Sequence, residues 1–148
     1  MQELVAFAES ENLGTIEPNQ WDLTYVNHLV KGREWQSPKD WQEVLPGIIG
    51  STDVVSSGVF EAIGMHLSFV LPRNSGRLHV ELTHGSSILD DEAQEVLLLQ
   101  FTARGGITDD QDYADGLGIG HQAIVRSFAE ITGERVRKEV WKQEAAKQ

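Results

Sequence analysis

Histidines carry most of the chemistry open to this chain, because it has five of them and no cysteine. Two of them stand in segments that alternate with period two, where His66 is followed by Ser68 and His79 by Glu81. Alternation puts each pair on one face of a strand, where the side chains could present a metal or a general base. Opposed polar residues are also the ordinary solvent face of an antiparallel hairpin, and we favour that interpretation.

Asn27 and His28 form a second candidate pair, inside a segment (21–32) whose aromatic and β-branched residues predict a strand. Neighbouring strand residues point to opposite faces, so one of the two must meet the covered face of a sheet. An unpaired polar side chain would cost about 1–3 kcal/mol there. A hydrogen-bonded residue that fixes the strand register is the simplest interpretation. A binding site shared with Tyr25 is the alternative.

A third set of candidates lies on the helix predicted for 111–132. His121 falls on its apolar stripe, where we expect a buried histidine bonded to a backbone carbonyl rather than a ligand. Arg126 projects off that stripe, four residues before Glu130, so an ion pair between these two side chains is the simplest prediction. Alternatively, Arg126 could anchor the carboxylate of a ligand.

Four aspartates precede a glycine in the segment DDQDYADG (109–116), and oxygen-rich loops of this kind bind calcium. The EF-hand pattern fails, however, because its fifth position falls on Ala114 and its twelfth on His121. Aspartates at a helix N-terminus also complement the helix dipole without a metal. We therefore predict no metal site. Calcium or manganese at Asp109–Asp115 is the alternative.

Nucleophile and nucleotide-binding motifs are missing from the sequence. None of the patterns G-x-S-x-G, S-x-x-K and H-E-x-x-H occurs. The glycines of GLGIG (116–120) follow no predicted strand and precede no phosphate-binding lysine, so they are typical of a helix start. Because each glycine costs a helix about 1 kcal/mol relative to alanine, we expect its first turns to be frayed. We expect no cofactor.

The length of 148 residues fits one domain with a substantial core. A net charge of −11 repels phosphate backbones and anionic membranes. No apolar run approaches the roughly 20 residues of a membrane helix, and the first residues carry glutamates where an export signal needs a basic flank. We therefore expect a cytoplasmic protein with no nucleic acid and no membrane as partner.

Turn signals and hydrophobic periodicity predict an α+β fold, in which a mostly antiparallel sheet of about five strands packs against a long C-terminal helix. Short turns between consecutive strands exclude a βαβ series. A polar loop is expected at 86–94, and short helices at 2–12, from Ser37, and at 134–146. The predicted strands cover 21–32, 54–62, 65–72, 77–84 and 96–104, with a hairpin turn at Arg73–Gly76.

Two segments resemble a family of uncharacterised bacterial proteins with a sporadic distribution among genomes. They are PNQWDLTYVNHL (18–29) and GHQAIVRSFAEIT (120–132), the latter followed by Val140-Trp141-Lys142. In that family a TYVNH strand precedes an antiparallel sheet, and an IVRSF…T…W helix closes the domain. The resemblance implies no activity, but it implies that the chain is the C-terminal portion of a longer protein. It marks the residues Tyr25, Asn27, His28, Arg126, Ser127, Phe128 and Trp141.

No catalytic constellation reaches a convincing spacing, so we predict a non-enzymatic binding or interaction module formed by one domain (1–148). Its expected partner is a second copy or a missing N-terminal region, contacted through an exposed Leu4 and Phe7. The alternative is a small hydrolase or ligand-binding enzyme. That alternative requires a pocket at Asn27, His28 and Arg126.

Overall fold

The computed structural model describes residues 6–7, 10–11, 19–50, 58–107 and 113–142. Most of the predicted helix at 2–12, the aspartates at 109–112 and the end of the predicted helix at 134–146 lie outside these ranges. Leu4 is outside them as well, whereas Phe7 is described and exposed.

The described elements form one antiparallel sheet in the order β1-β4-β3-β2 with helices on one side, which confirms the α+β class. The strands are β1 (Gln20–Val30), β2 (Gly64–Val70), β3 (Arg77–Leu89) and β4 (Glu92–Gly106). The helices are α1 (Trp41–Val44) and α2 (Tyr113–Ile131), with a 3-10 turn at Pro38–Asp40 and a π-helical turn at Val136–Val140.

The prediction of five strands is wrong for the described part of the chain, which contains four. The strand expected at 54–62 is the missing one, since its described residues, 58–62, are irregular. The physical reason lies in where its apolar side chains go. Val59 is 92% exposed, and Phe60 packs edge-on against Trp41 with ring centroids 5.6 Å apart. Neither supplies the cross-strand packing that holds a strand in a sheet.

The polar loop expected at 86–94 is also wrong, because this segment continues the ladder between β3 and β4 as far as Leu89 and Glu92. Asp90 and Asp91 make the turn with φ of 52° and 64°. Aspartate tolerates this left-handed region better than most residues, so two aspartates can reverse the chain in two residues. The polar composition of the segment reflects a hairpin that projects into solvent.

The short helix predicted from Ser37 is confirmed. Pro38 takes its first position, and the Asp40 carboxylate accepts the backbone N–H groups of Ser37 at 2.8 Å and Gln36 at 2.9 Å. These two hydrogen bonds hold the pKa of the Asp40 carboxyl below its ordinary value. The turn leads directly into α1, which places Trp41 in the core.

Helix α2 packs on one side of the sheet, mainly over β1 and β4, and we call this side the covered face. The contact depends on Trp21, because a Cβ added to Gly116 or Gly120 would lie 2.3 Å or 2.7 Å from its indole ring. A Cβ at Gly118 would meet nothing within 4 Å. Two of the helical glycines therefore admit an indole ring. The buried side chains that the strands place on the covered face are Trp21, Leu29, Leu78, Val80, Leu82, Leu97, Leu99, Phe101 and Ala103.

The opposite side of the sheet, which we call the open face, carries polar side chains in rows across the strands. The hydroxyls of Thr24 and Thr102 lie 3.0 Å apart, and Asp22 pairs with Arg104 at 3.3 Å. No helix in the described part of the chain is long and apolar enough to cross a membrane.

Candidate functional site

The free edge of β1 is defined by the hydrogen bonds on its other side. Lys31 N–H donates to the carbonyl of Glu95, and Ile107 N–H donates to that of Asn19, both at 2.9 Å. Both pairs continue the β1–β4 register, in which residue numbers sum to a constant. In an antiparallel ladder only alternate residues bond to the neighbouring strand. The odd-numbered residues of β1 therefore bond to β4, and the even-numbered residues point their N–H and C=O outward.

Four consecutive outward positions, Asp22, Thr24, Val26 and His28, make up what we call the free ladder. No backbone hydrogen bond joins them to another residue in the ranges that the structure describes. Their side chains lie on the open face, since β1 is regular and its odd residues occupy the covered face. The edge therefore offers an uninterrupted row of donors and acceptors.

The free ladder ends at Val30, whose outward groups are bonded within the chain. Its carbonyl accepts the N–H groups of Arg33 and Glu34, at 3.2 Å and 3.0 Å. Its own N–H donates to the Glu34 carboxylate at 2.7 Å. The other oxygen of that buried carboxylate accepts Arg33 Nε at 2.7 Å and Trp141 Nε1 at 2.9 Å. One carboxylate thus closes the strand end and holds the C-terminal tryptophan against it.

A groove of about 900 Å³ runs along this end of β1, and we call it the edge groove. The rings of Phe128 and Trp141 stack with centroids 5.3 Å apart and line it on the side of the covered face. Its lining consists of Val26–Arg33, Leu89, Asp90, Gln94, Phe128 and Trp141.

Two of the predicted site residues, Asn27 and His28, lie in the edge groove. Asn27 is half-buried on the covered face and donates through Nδ2 to the carbonyl of Leu99, its register partner on β4, at 3.3 Å. His28 is half-buried on the other face of the same edge. Of the residues marked by the family resemblance, four line this groove, namely Asn27, His28, Phe128 and Trp141.

Tyr25 lies beside the groove, 39% exposed, and its hydroxyl is 2.7 Å from Nδ1 of His121. The expectation of a buried His121 bonded to a backbone carbonyl is therefore wrong. The helix stripe is correct for its other members, but α2 lies near the sheet edge, so this position reaches a tyrosine hydroxyl at the surface.

Arg126 does not share the edge groove with Asn27 and His28. It lines a separate cavity of about 320 Å³ on the other side of α2, against the turn between β2 and β3. It forms no ion pair with Glu130, so the predicted pairing along the helix is wrong. The structure brings Asn27 and His28 together and leaves Arg126 apart from them.

The polar residues that the sequence places opposite each other in the β2–β3 hairpin do contact each other on the open face. Ser68 Oγ lies 2.9 Å from Nδ1 of His79, and His66 Nδ1 lies 3.2 Å from Glu81. The side chains of His66 and Glu81 are 57% and 49% exposed, so water competes strongly for both. This arrangement is that of a solvated hairpin face.

A contact between a histidine and a glutamate was not predicted from the sequence. His84 Nε2 lies 2.9 Å from Glu95, which also accepts Lys31 Nζ at 2.7 Å. The hydrogen bonds from Lys31 and His84 hold the pKa of the Glu95 carboxyl below its ordinary value. The β3–β4 register brings His84 beside Glu95, and the β1–β4 register brings Lys31 beside it. Because a loop was expected at 86–94, neither register could be predicted at Glu95.

Within the described ranges, no three histidine, aspartate or glutamate side chains are grouped so that they could hold a metal ion. Comparisons of the chain with protein-family models, with curated proteins and with solved structures found no match.

Proposed function

We propose that this chain is a non-enzymatic interaction module that acts by strand pairing, and that the free ladder of β1 pairs with the same strand of a second copy. The observation that carries the proposal is the row of four outward-facing residues from Asp22 to His28, bounded by the Glu34 carboxylate. Unpaired edges of this length are the sites at which sheets extend between chains.

The sequence of the ladder is complementary to itself. In an antiparallel pair with its two-fold axis at Tyr25, Asp22 stands opposite the partner's His28 and Thr24 opposite the partner's Val26. The carboxylate of Asp22 can accept a hydrogen bond from the imidazole of the partner's His28, so this cross-strand pair favours association. The two Tyr25 rings then face each other across the axis on the covered side, where aromatic pairs contribute further.

Exposed apolar surface lies at the same edge. Tyr25 and Val26 are 39% and 48% exposed, and Val125 is 47% exposed one helical turn beyond His121, the residue that contacts Tyr25. Burying such side chains removes apolar surface from water and so favours association. A second copy covers this surface on both chains at once, because a two-fold interface uses the same patch twice.

The bonds at Val30 fix where pairing stops. Since its N–H and C=O are already satisfied by Glu34 and Arg33, the partner strand can add hydrogen bonds only as far as His28. The partner chain that precedes Asp22 then passes over the edge groove, where Phe128 and Trp141 offer apolar contact. A ladder centred on Tyr25 and closed at this end favours a discrete dimer.

The test is a proline substitution that removes one outward N–H and leaves the bonds to β4 intact. Val26→Pro removes a donor from the free ladder and puts a ring in the path of the partner strand. We expect sedimentation velocity to show a dimer for the unchanged chain at high concentration and at least about a hundredfold weaker association for the variant.

Ser68→Pro is the matched control, because Ser68 is an outward position of the opposite edge strand, β2. It should leave dimerisation unchanged. The proposal is wrong if the unchanged chain sediments as a monomer at every concentration tested, or if Ser68→Pro dissociates the dimer and Val26→Pro does not. A monomer that instead binds a different protein through β1 would also overturn the choice of a second copy as the partner.

A further inference from the structure

We propose that the cavity between α2 and the β2–β3 turn binds a small carboxylate with an apolar body. The cavity has a volume of about 320 Å³ and is open to solvent on one side, with two exposed arginines, Arg73 and Arg126, in its wall. It is separate from the edge groove and from the free ladder, so the proposal does not depend on strand pairing.

The two arginines have no acceptor among the residues that the structure describes. Three other arginines, Arg33, Arg104 and Arg135, each hold a carboxylate of the same chain. Acidic groups are abundant in a protein of net charge −11. Among the described ones, Asp115 lines an adjoining cavity together with Arg73, but no described carboxylate forms an ion pair with either cavity arginine. Arg126 in particular forms no ion pair with Glu130, four residues away on the same helix. Their guanidinium groups are therefore available to an anion from outside.

The rest of the wall selects an apolar body over a bare ion. Leu71 is buried, and Pro72, Ile119 and Ala123 complete an apolar lining. Ser75 and Gln122 are the uncharged polar side chains of the wall. A few polar groups on an apolar wall are typical of small-molecule sites, where the polar groups fix the orientation of the ligand. Arginine suits carboxylates because its planar fork donates two parallel hydrogen bonds.

The backbone at Arg73 is consistent with a role for its side chain. Arg73 has φ of 57°, in the left-handed region that glycine and asparagine adopt more readily. Arginine gains nothing there from local hydrogen bonding of the kind that eases asparagine or aspartate into this region. The turn places Arg73 in the wall of the cavity, to which α2 contributes Arg126.

The test uses 3-phenylpropionate as the probe, titrated into the whole chain and followed by amide chemical shifts. We expect saturable shifts at Ile119, Gln122 and Ala123, which line the cavity. 3-Phenylpropanol, which has the same body without the charge, and inorganic phosphate, which has charge without the body, should each bind at least about tenfold more weakly.

Arg126→Met and Arg73→Met should each weaken binding of the carboxylate at least about tenfold. Lys39→Met is the matched control, because it removes one positive charge outside the cavity, and it should leave binding unchanged. Arg73→Gly adds a second check, since it relieves the left-handed strain and should raise stability while it weakens binding.

Several results would overturn the proposal. Absence of saturable shifts with 3-phenylpropionate would do so, and equal binding of the alcohol would show that the arginines do not recognise charge. Equal binding of inorganic phosphate would show that the apolar wall plays no part. Shifts that persist unchanged in both methionine variants would place the ligand elsewhere.

Discussion

The two edge strands of the sheet, β1 and β2, both have unpaired backbone groups along their outer side, but they differ in length, in anchoring and in side-chain contacts. Each points its even-numbered residues outward. β1 has eleven residues and is anchored under α2 by Trp21, and a buried carboxylate closes one of its ends. β2 has seven residues, and its polar side chains are engaged across the open face by β3.

This contrast is the reason why we propose β1, and not β2, as the edge that pairs with another chain. Short strands are one of the ways in which natural sheets avoid pairing with other chains, and β2 fits that description. Along β1, a longer ladder coincides with a self-complementary pattern of side chains and with exposed apolar residues. The end of β2 instead contributes Leu71, Pro72 and Arg73 to the cavity that we assign to a ligand.

The largest expected loss of stability comes from disturbing the contact between α2 and Trp21, which anchors β1. Gly116→Ala puts a Cβ 2.3 Å from the Trp21 indole, so either the helix or the ring must move. Overpacking of this kind costs about 1–3 kcal/mol, and more where neighbours cannot yield. We expect a loss of about 3 kcal/mol in the free energy of unfolding, measured by urea denaturation.

Gly118→Ala tests the same helix at a position where the added Cβ meets nothing within 4 Å. It should stabilise the protein by up to about 1 kcal/mol, since alanine is the better helix former. Equal effects of the two substitutions would show that the helix does not depend on close approach to β1.

A smaller effect is expected at the closed end of β1. All three partners of the Glu34 carboxylate, namely Val30 N–H, Arg33 Nε and Trp141 Nε1, are donors. Glu34→Gln turns one of two acceptor oxygens into an amide nitrogen, which must then face a donor. The expected loss is about 1–3 kcal/mol, the cost of a buried group left without its partner.

Glu92→Gln, the same chemical change at an exposed position, should stay within about 0.5 kcal/mol of the unchanged chain. If Glu34→Gln has as little effect in thermal or urea unfolding, the carboxylate does not close the strand and β1 has no defined end.

The smallest effect tests the register of the proposed dimer. His28→Asp places an aspartate opposite the partner's Asp22 at two symmetric positions, and like charges across a strand pair are unfavourable by roughly 0.2–1 kcal/mol each. We expect dimer dissociation to become about tenfold easier in sedimentation equilibrium. The double variant Asp22→His with His28→Asp restores the pairing of unlike residues and should recover most of that loss. Failure to recover would exclude a two-fold axis at Tyr25.

The sequence predicted the fold class and the hairpin between β2 and β3, because alternating residues and a polar turn determine these locally. It also placed the apolar run 96–104 in a strand, which the structure puts at the centre of the sheet. It failed at 54–62 and 86–94, where side-chain exposure and a turn of two left-handed aspartates decided the outcome. Both the exposure of a side chain and the length of a hairpin depend on which segments pack against each other in the fold.

Much less of the candidate sites could be predicted. The sequence indicates four individual residues, namely Tyr25, Asn27, His28 and Arg126. It does not show that Arg126 lies in a different cavity from Asn27 and His28, because that depends on the position of α2. Gly116 and Gly120 are one helical turn apart, and this spacing is a sequence signal for close packing of a helix. The prediction of a frayed helix start does not use that signal. A single buried glutamate such as Glu34 leaves no pattern in the sequence.

The bond between Glu34 and Val30 has a consequence for the exchange of amide hydrogens with solvent. Along the outward side of β1 the N–H groups of Thr24, Val26 and His28 have no acceptor in the described chain, whereas that of Val30 has a buried carboxylate at 2.7 Å. Exchange should therefore be fast along the middle of the outward edge and slow at its end. Protection of the middle amides would then appear only when another strand is bound to them.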